Sequence, residues 1–127
     1  MEVESPEFGV VKFHSMAEAA RFHDLLLFKR SGAIKELVLQ PPFEFKFCIT
    51  PADPSGIMHR ETVKYIADFM YYDVEKDLYV VEDVKGTLTS VYKKKRKWFL
   101  KLYPELHFRE VMENEHIDYP PRTNSSK

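Results

Sequence analysis

The sequence predicts a mixed α/β domain. Three observations predict it: a capped helical period from Ser15 to Arg30, strand-type alternation between Ile34 and Lys85, and a second helical period from Thr87 to Tyr103. The chain has 127 residues, 44% of them hydrophobic, enough for one domain with a core that needs no disulfide or structural metal.

Ser15 is a good N-cap, and Glu18, three residues on, completes a capping box. Phe22, Leu25, Leu26 and Lys29 continue that face, and Gly32 suits a left-handed stop behind Lys29 and Arg30. Ile34 to Gln40 alternates as a strand that Pro41-Pro42 ends, and Phe43 to Ile49 alternates as a second. Pro51, Asp53-Pro54 and Gly56 predict a loop over residues 50–61. One long strand is expected from Thr62 to Tyr72 and another from Leu78 to Lys85, joined as a hairpin by Val74 to Asp77. Gly86 breaks the latter. The helix after it puts Leu88, Val91, Tyr92, Trp98, Phe99 and Leu102 inward and lysines outward, and Pro104 stops it. Leu106 to Val111 reads as a last short strand, and residues 112–127 as a polar tail, flexible or lying along the surface.

A single cysteine, Cys48, cannot form an internal bridge; in Phe-Lys-Phe-Cys-Ile it reads as a buried, inert thiol and fits a reducing cytoplasm. No signal peptide is expected in Met-Glu-Val-Glu-Ser-Pro-Glu, and no apolar run approaches the ~20 residues that span a bilayer. The five histidines show no ligand spacing, so no zinc site is expected, and four glycines form no phosphate-cradling loop.

The net charge of −1 hides an asymmetry. Seven basic residues and no acidic one lie between Lys85 and Lys101, while the remaining chain carries 12 basic against 20 acidic residues. A basic segment on an acidic body suits contact with a polyanion; a solvated helix face explains it equally well.

The informative positions are charges where apolar residues belong. Asp68 interrupts Lys-Tyr-Ile-Ala-Asp-Phe-Met-Tyr-Tyr, although aspartate disfavours strand interiors and is costly to bury unpaired. Glu82, Asp83 and Lys85 end the next strand. By alternation, Asp83 and Lys85 share a face with Tyr79 and Val81, and Glu82 points away with Val80 and Val84. Two neighbouring carboxylates need a compensating cation, either Lys85 or a hard divalent ion. Such an ion beside a lysine meets the needs of phosphodiester hydrolysis. A structural ion pair at a sheet end is the alternative.

Asp68, followed after a hairpin by Asp83-Val84-Lys85, resembles the PD-(D/E)XK pattern of restriction-enzyme-like nucleases. Five segments in order extend the likeness: Phe13-His14-Ser15-Met16-Ala17-Glu18-Ala19, Leu37-Val38-Leu39-Gln40-Pro41, Tyr65-Ile66-Ala67-Asp68-Phe69-Met70-Tyr71, Val81-Glu82-Asp83-Val84-Lys85-Gly86 and Thr89-Ser90-Val91-Tyr92-Lys93-Lys94-Lys95. From about Phe8 to Val111 the chain resembles small phage-encoded endonucleases of that superfamily and is similar, more distantly, to Holliday-junction resolvases. The resemblance implies a single restriction-endonuclease-like domain over residues 1–111, with a central mixed sheet flanked by helices. It implies a Mg²⁺ site (Mn²⁺ able to substitute) on Glu18, Asp68 and Asp83, with Lys85 as catalytic lysine. It implies DNA as partner, a homodimer, no membrane, no nucleotide cofactor and a place in the host cytoplasm in recombination or replication of phage DNA. The sequence departs from the pattern at His14, where relatives tend to carry an acid, and at Ala67, which replaces the signature proline.

Glu18 keeps a second reading as the third residue of the capping box. Lys93, Lys95 and Lys97 are expected to neutralise phosphates, and Thr87, Thr89 and Tyr92 to hydrogen-bond phosphates near the site. A solvated face, and core packing for Tyr92, are the alternatives. Gln40 either turns toward the site or stabilises the turn. Two rival functions remain open: a DNA-binding module without chemistry, and a nuclease subunit that needs a partner protein.

Overall fold

A computed structural model of the chain describes residues 1–49, 59–113 and 115–122, of which residues 47–49 and 59–61 by their backbone. The chain runs β1 (Glu2–Ser5), β2 (Gly9–Lys12), α1 (Met16–Ser31), β3 (Ile34–Leu39), β4 (Pro42–Ile49), β5 (His59–Ile66), β6 (Phe69–Asp73), β7 (Leu78–Val84), α2 (Ser90–Leu102), β8 (His107–Met112) and β9 (Glu115–Tyr119). The fold is mixed α/β, with two helices and more strand than helix among the described residues. Five strands form one sheet in the order β3-β6-β7-β8-β9, antiparallel except for the parallel pair β7–β8 that α2 connects. β1–β2 and β4–β5 are separate two-stranded sheets.

α1 begins where the sequence places it. Ser15 Oγ accepts from the Glu18 N–H at 3.1 Å, and Gly32, at φ 86°, closes the helix by donating to the Lys29 carbonyl at 3.1 Å. α2 starts later than expected, because Thr89 is its N-cap and accepts from the Tyr92 N–H at 3.1 Å; Thr87 lies before the helix.

The run from Thr62 to Tyr72 is not one strand. β5 stops at Ile66 and pairs with β4, whereas β6 starts at Phe69 and pairs with β3 and β7. Ala67 donates to the Pro41 carbonyl at 3.1 Å, while the Gln40 N–H donates to the Asp68 carbonyl at 2.9 Å. The break therefore puts Asp68 between two sheets and not inside a strand. The loop expected over residues 50–61 lies outside the described residues up to residue 58, and from His59 the chain is already in β5. The Cys48 side chain also lies outside them.

The segment read as a polar tail supplies a strand. β9 pairs antiparallel with β8, and Asp118 accepts from Arg109 Nε at 2.7 Å and meets His107 Nε2 at 2.8 Å. The sheet therefore extends past residue 111. The β1–β2 hairpin was likewise not expected; Gly9, at φ 70°, starts its second strand.

The buried apolar residues form two clusters, sorted by strand alternation. Phe69, Tyr71 and Val80 pack with Phe22, Leu25 and Leu26 of α1 and with Val3 and Phe13. Val81 and Phe108 pack with Phe99 and Tyr92 of α2 and with Phe43, Phe45 and Tyr65 of the β4–β5 hairpin. The β6–β7–β8 strands thus carry a core on either side, and a charged residue on them must meet one core or the other.

Candidate active site

The register brings Asp68 and Asp83 onto neighbouring chains. Phe69 pairs with Glu82 at the end of the β6–β7 ladder, and one step beyond it the Asp68 N–H still donates to the Glu82 carbonyl at 3.1 Å, beside Asp83. Asp68 Oδ2 accepts from the Val84 N–H at 2.7 Å, so a side chain replaces the next rung of the ladder and fixes the carboxylate in place. Burial pushes Asp68 up to about 6; the Val84 N–H opposes the rise and the charge on Glu18 adds to it.

Asp83 is fully buried. Tyr65 Oη donates to its Oδ2, and Lys85 Nζ stands 3.6 Å from its Oδ1. At that length the contact is an ion pair and not a hydrogen bond, so Oδ1 has no hydrogen-bond partner among the described residues. Burial pushes Asp83 up to about 7; Lys85 pulls it back, while Glu110 and Glu18 push it further up. Lys85 Nζ also stands 4.4 Å above the Tyr92 ring, so the ammonium is held between a carboxylate and an aromatic face.

Glu82 occupies the opposite side. Arg21 grips it with two hydrogen bonds of 2.8 and 2.7 Å, Tyr71 Oη donates to it, and Arg109 lies 3.9 Å away. Each acceptor oxygen of Glu82 is thus used, as a buried carboxylate requires.

The remaining residues divide. Glu18 sits in the first turn of α1 with its Oε1 accepting from Ser15 Oγ at 3.2 Å, yet its charge reaches both aspartates. Gln40 holds a left-handed φ of 53° and pins Asp68 through its backbone. Tyr92 is buried, and its hydroxyl donates to Glu110 Oε2 at 2.6 Å, so core packing is its place in the fold and it has no hydroxyl proton left for a phosphate. Thr89 caps α2 through its hydroxyl. Lys93 and Lys97 are exposed, Lys95 half-buried, and Thr87 exposed ahead of the helix.

Three contributors escaped the sequence reading. Tyr65 touches Asp83, and Arg96 grips Glu110 Oε2 at 2.5 Å, with Glu110 opposite Asp83 in the β7–β8 register. Glu110 is an acid within the otherwise apolar end of His-Phe-Arg-Glu-Val-Met, the same signal that singled out Asp68.

Among the described residues no group of three or more His, Cys, Asp or Glu side chains converges as a metal cage. The donors present are oxygens, and Asp83 Oδ1 is a buried acceptor without a hydrogen bond. That pair fits a hard divalent ion that takes few protein ligands and retains water.

A model of a family of proteins of unknown function, DUF1064, matches residues 6–117. The chain belongs to that family. The matched span runs into β9, so the family unit extends past residue 111 into the last strand. Among curated proteins, none matches this DUF1064 chain. Among solved structures it is similar, at 12% identity and a TM-score of 0.36, to one described as "Crystal structure of SSO0001". The match covers 87% of the chain and 55% of the other, so the chain spans about half the length of that protein. No helix among the described residues is long and apolar enough to cross a membrane.

Proposed function

We propose that the protein is a metal-dependent endodeoxyribonuclease, with Asp68, Asp83 and Lys85 at its centre and Glu18 at the edge. The observation that carries the reading is the buried Asp83 carboxylate: one oxygen has no hydrogen bond, Lys85 stands 3.6 Å away, and Asp68 is bonded to the residues on either side of it, Glu82 and Val84. Arg21 satisfies both oxygens of the buried Glu82, whereas Asp83 and its neighbour Glu110, held by Tyr92 and Arg96 through Oε2 alone, each keep one oxygen without a hydrogen bond.

Asp68 and Asp83 would hold Mg²⁺, or Mn²⁺ in its place, with Glu18 reaching it directly or through water. The ion would supply an acidified water and neutralise charge on the phosphate. Lys85 takes the catalytic place because Asp83 and Tyr92 hold its ammonium at the mouth of the site, where it donates to a phosphate oxygen or orients the attacking water. The Val84 amide, which donates to Asp68 Oδ2, would keep that carboxylate oriented when it held the ion.

The PD-(D/E)XK resemblance supports the same reading, and with it a restriction-endonuclease-like domain whose central mixed sheet is flanked by helices. DNA is the polyanion that the basic α2 suits, a branched-DNA resolvase of phage recombination or replication is the most specific version, and a homodimer in the host cytoplasm is its natural setting.

The test is cleavage of a labelled four-way junction beside its linear duplex arms, in Mg²⁺ or in EDTA, by the wild type and Asp68→Ala. Mg²⁺-dependent cutting of the junction, lost in the variant, supports a resolvase, and cutting of every substrate supports a general endonuclease. Binding without cutting would replace the reading with a non-catalytic DNA-binding module or a subunit awaiting its partner.

A further inference from the structure

A groove of about 350 Å³ lies between the end of β5 and the first turns of α2. Lys85 belongs to it, so the groove opens directly onto the proposed site. Its charged lining is Lys64, Lys85 and Lys95, with no carboxylate. Among the described residues neither Lys64 nor Lys95 has an ion-pair partner, whereas Lys85 has Asp83. Its walls also carry two apolar side chains in water, Ile66 at 55% exposure and Val91 at 64%.

This combination separates two kinds of DNA. A continuous duplex offers phosphates on its outside and hides its bases in the stack. Lysines alone suffice for it, and Ile66 and Val91 would gain nothing. An unstacked nucleotide offers phosphate and an apolar base face together, and branched aliphatic side chains are suitable covers or wedges for such a base. Both residues are β-branched and stiff at χ1, so little rotamer freedom is lost when they make that contact.

We propose that this groove binds an unpaired DNA strand adjoining the phosphate to be cut, with Lys64 and Lys95 on its backbone and Ile66 and Val91 against an unstacked base. The proposal rests on the endonuclease reading and adds the substrate class: a fork, flap or tailed duplex, ahead of fully paired DNA.

The test is fluorescence anisotropy in EDTA, which reads binding without cleavage. A labelled duplex carrying a single-stranded thymidine tail is compared with the same duplex blunt-ended. The wild type is expected to bind the tailed duplex about tenfold more tightly. Val91→Glu should remove that preference, with blunt-duplex binding weakened only as far as one lost positive charge on α2 would weaken it. Lys64→Ala should weaken the tailed complex and lower its salt slope by about one. Val91→Thr, nearly isosteric, is the second variant if the glutamate disturbs α2, and should shrink the preference. Equal binding of both duplexes by the wild type, or a preference that survives these substitutions, overturns the groove proposal alone. No binding to either DNA overturns it together with the endonuclease reading.

Discussion

Arg21 of α1 reaches across to Glu82 of β7 and closes on both of its carboxylate oxygens, at 2.8 and 2.7 Å. That pair decides which of two adjacent acids is available for chemistry. Glu82 is taken up by Arg21, Tyr71 and Arg109, whereas Asp83, one residue on and facing the other core, keeps an oxygen without a hydrogen bond. Burial raises the Tyr71 hydroxyl pKa, with the Glu82 charge adding to it, so this tyrosine stays a proton donor to that carboxylate.

Removing one partner of the pair should therefore be a stability event. Arg21→Ala leaves the Glu82 charge buried beside a lost bidentate partner and should cost ~3–5 kcal/mol in urea unfolding. Metal binding at Asp68 and Asp83 should persist in whatever fraction stays folded. A loss below about 1 kcal/mol would show that the pair is not the buried ion pair described.

The pH dependence has a definite sign. Asp83 titrates at about 7 in the fold against an ordinary value of 3.8, so the folded state holds a proton that the unfolded state releases first. Stability from this group is greatest below pH 4 and falls as pH rises from about 4 to about 7. Asp68, raised to about 6, acts in the same direction. In EDTA, Asp83→Asn should flatten this decline between pH 5 and pH 8 in thermal melts. Added Mg²⁺ should restore wild-type stability at pH 8, because binding to the folded state alone stabilises it, and should do little at pH 5, where the ligands are protonated.

Lys85 is separable from the metal ligands. Lys85→Met should cut cleavage by ~10²–10⁴-fold, the range for a lost general acid or electrostatic donor, with Mg²⁺ binding retained. Tyr92→Leu removes the ring under the ammonium and should lower the rate by a smaller factor; Tyr92→Phe keeps the ring and should cost stability more than rate, since it leaves Glu110 with Arg96 alone.

The helix lysines should act additively and without reading sequence. Lys93→Ala and Lys97→Ala should each lower the salt slope of DNA binding by about one and weaken binding to all sequences alike. Thr89→Ala should cost ~1 kcal/mol of stability through the lost cap, with a salt slope equal to that of the wild type.

How much of this was legible depended on whether the signal was local. The α1 limits follow from Ser15 and Gly32, and the β6–β7 hairpin from its turn, because caps and turns use side chains within a few residues. Strand alternation also separated Asp83 from Glu82 correctly. The β5–β6 break was not legible: Tyr65 to Tyr72 is apolar apart from Asp68, and what divides it is pairing to β4 on one side and to β3 and β7 on the other. β9 was hidden for the converse reason. Its sequence is polar, and it becomes a strand only because β8 offers an edge and Asp118 finds His107 and Arg109. Tyr65 and Arg96 joined the site through tertiary contact alone, which no spacing announces.

The most direct measurement is Mg²⁺ titration by calorimetry at pH 8 with the wild type, Asp68→Ala and Asp83→Asn. Saturable binding by the wild type that both substitutions abolish, with all three proteins folded, is the predicted result. Equal binding by all three, or none by a folded wild type presented with DNA, would contradict a metal site shared by Asp68 and Asp83.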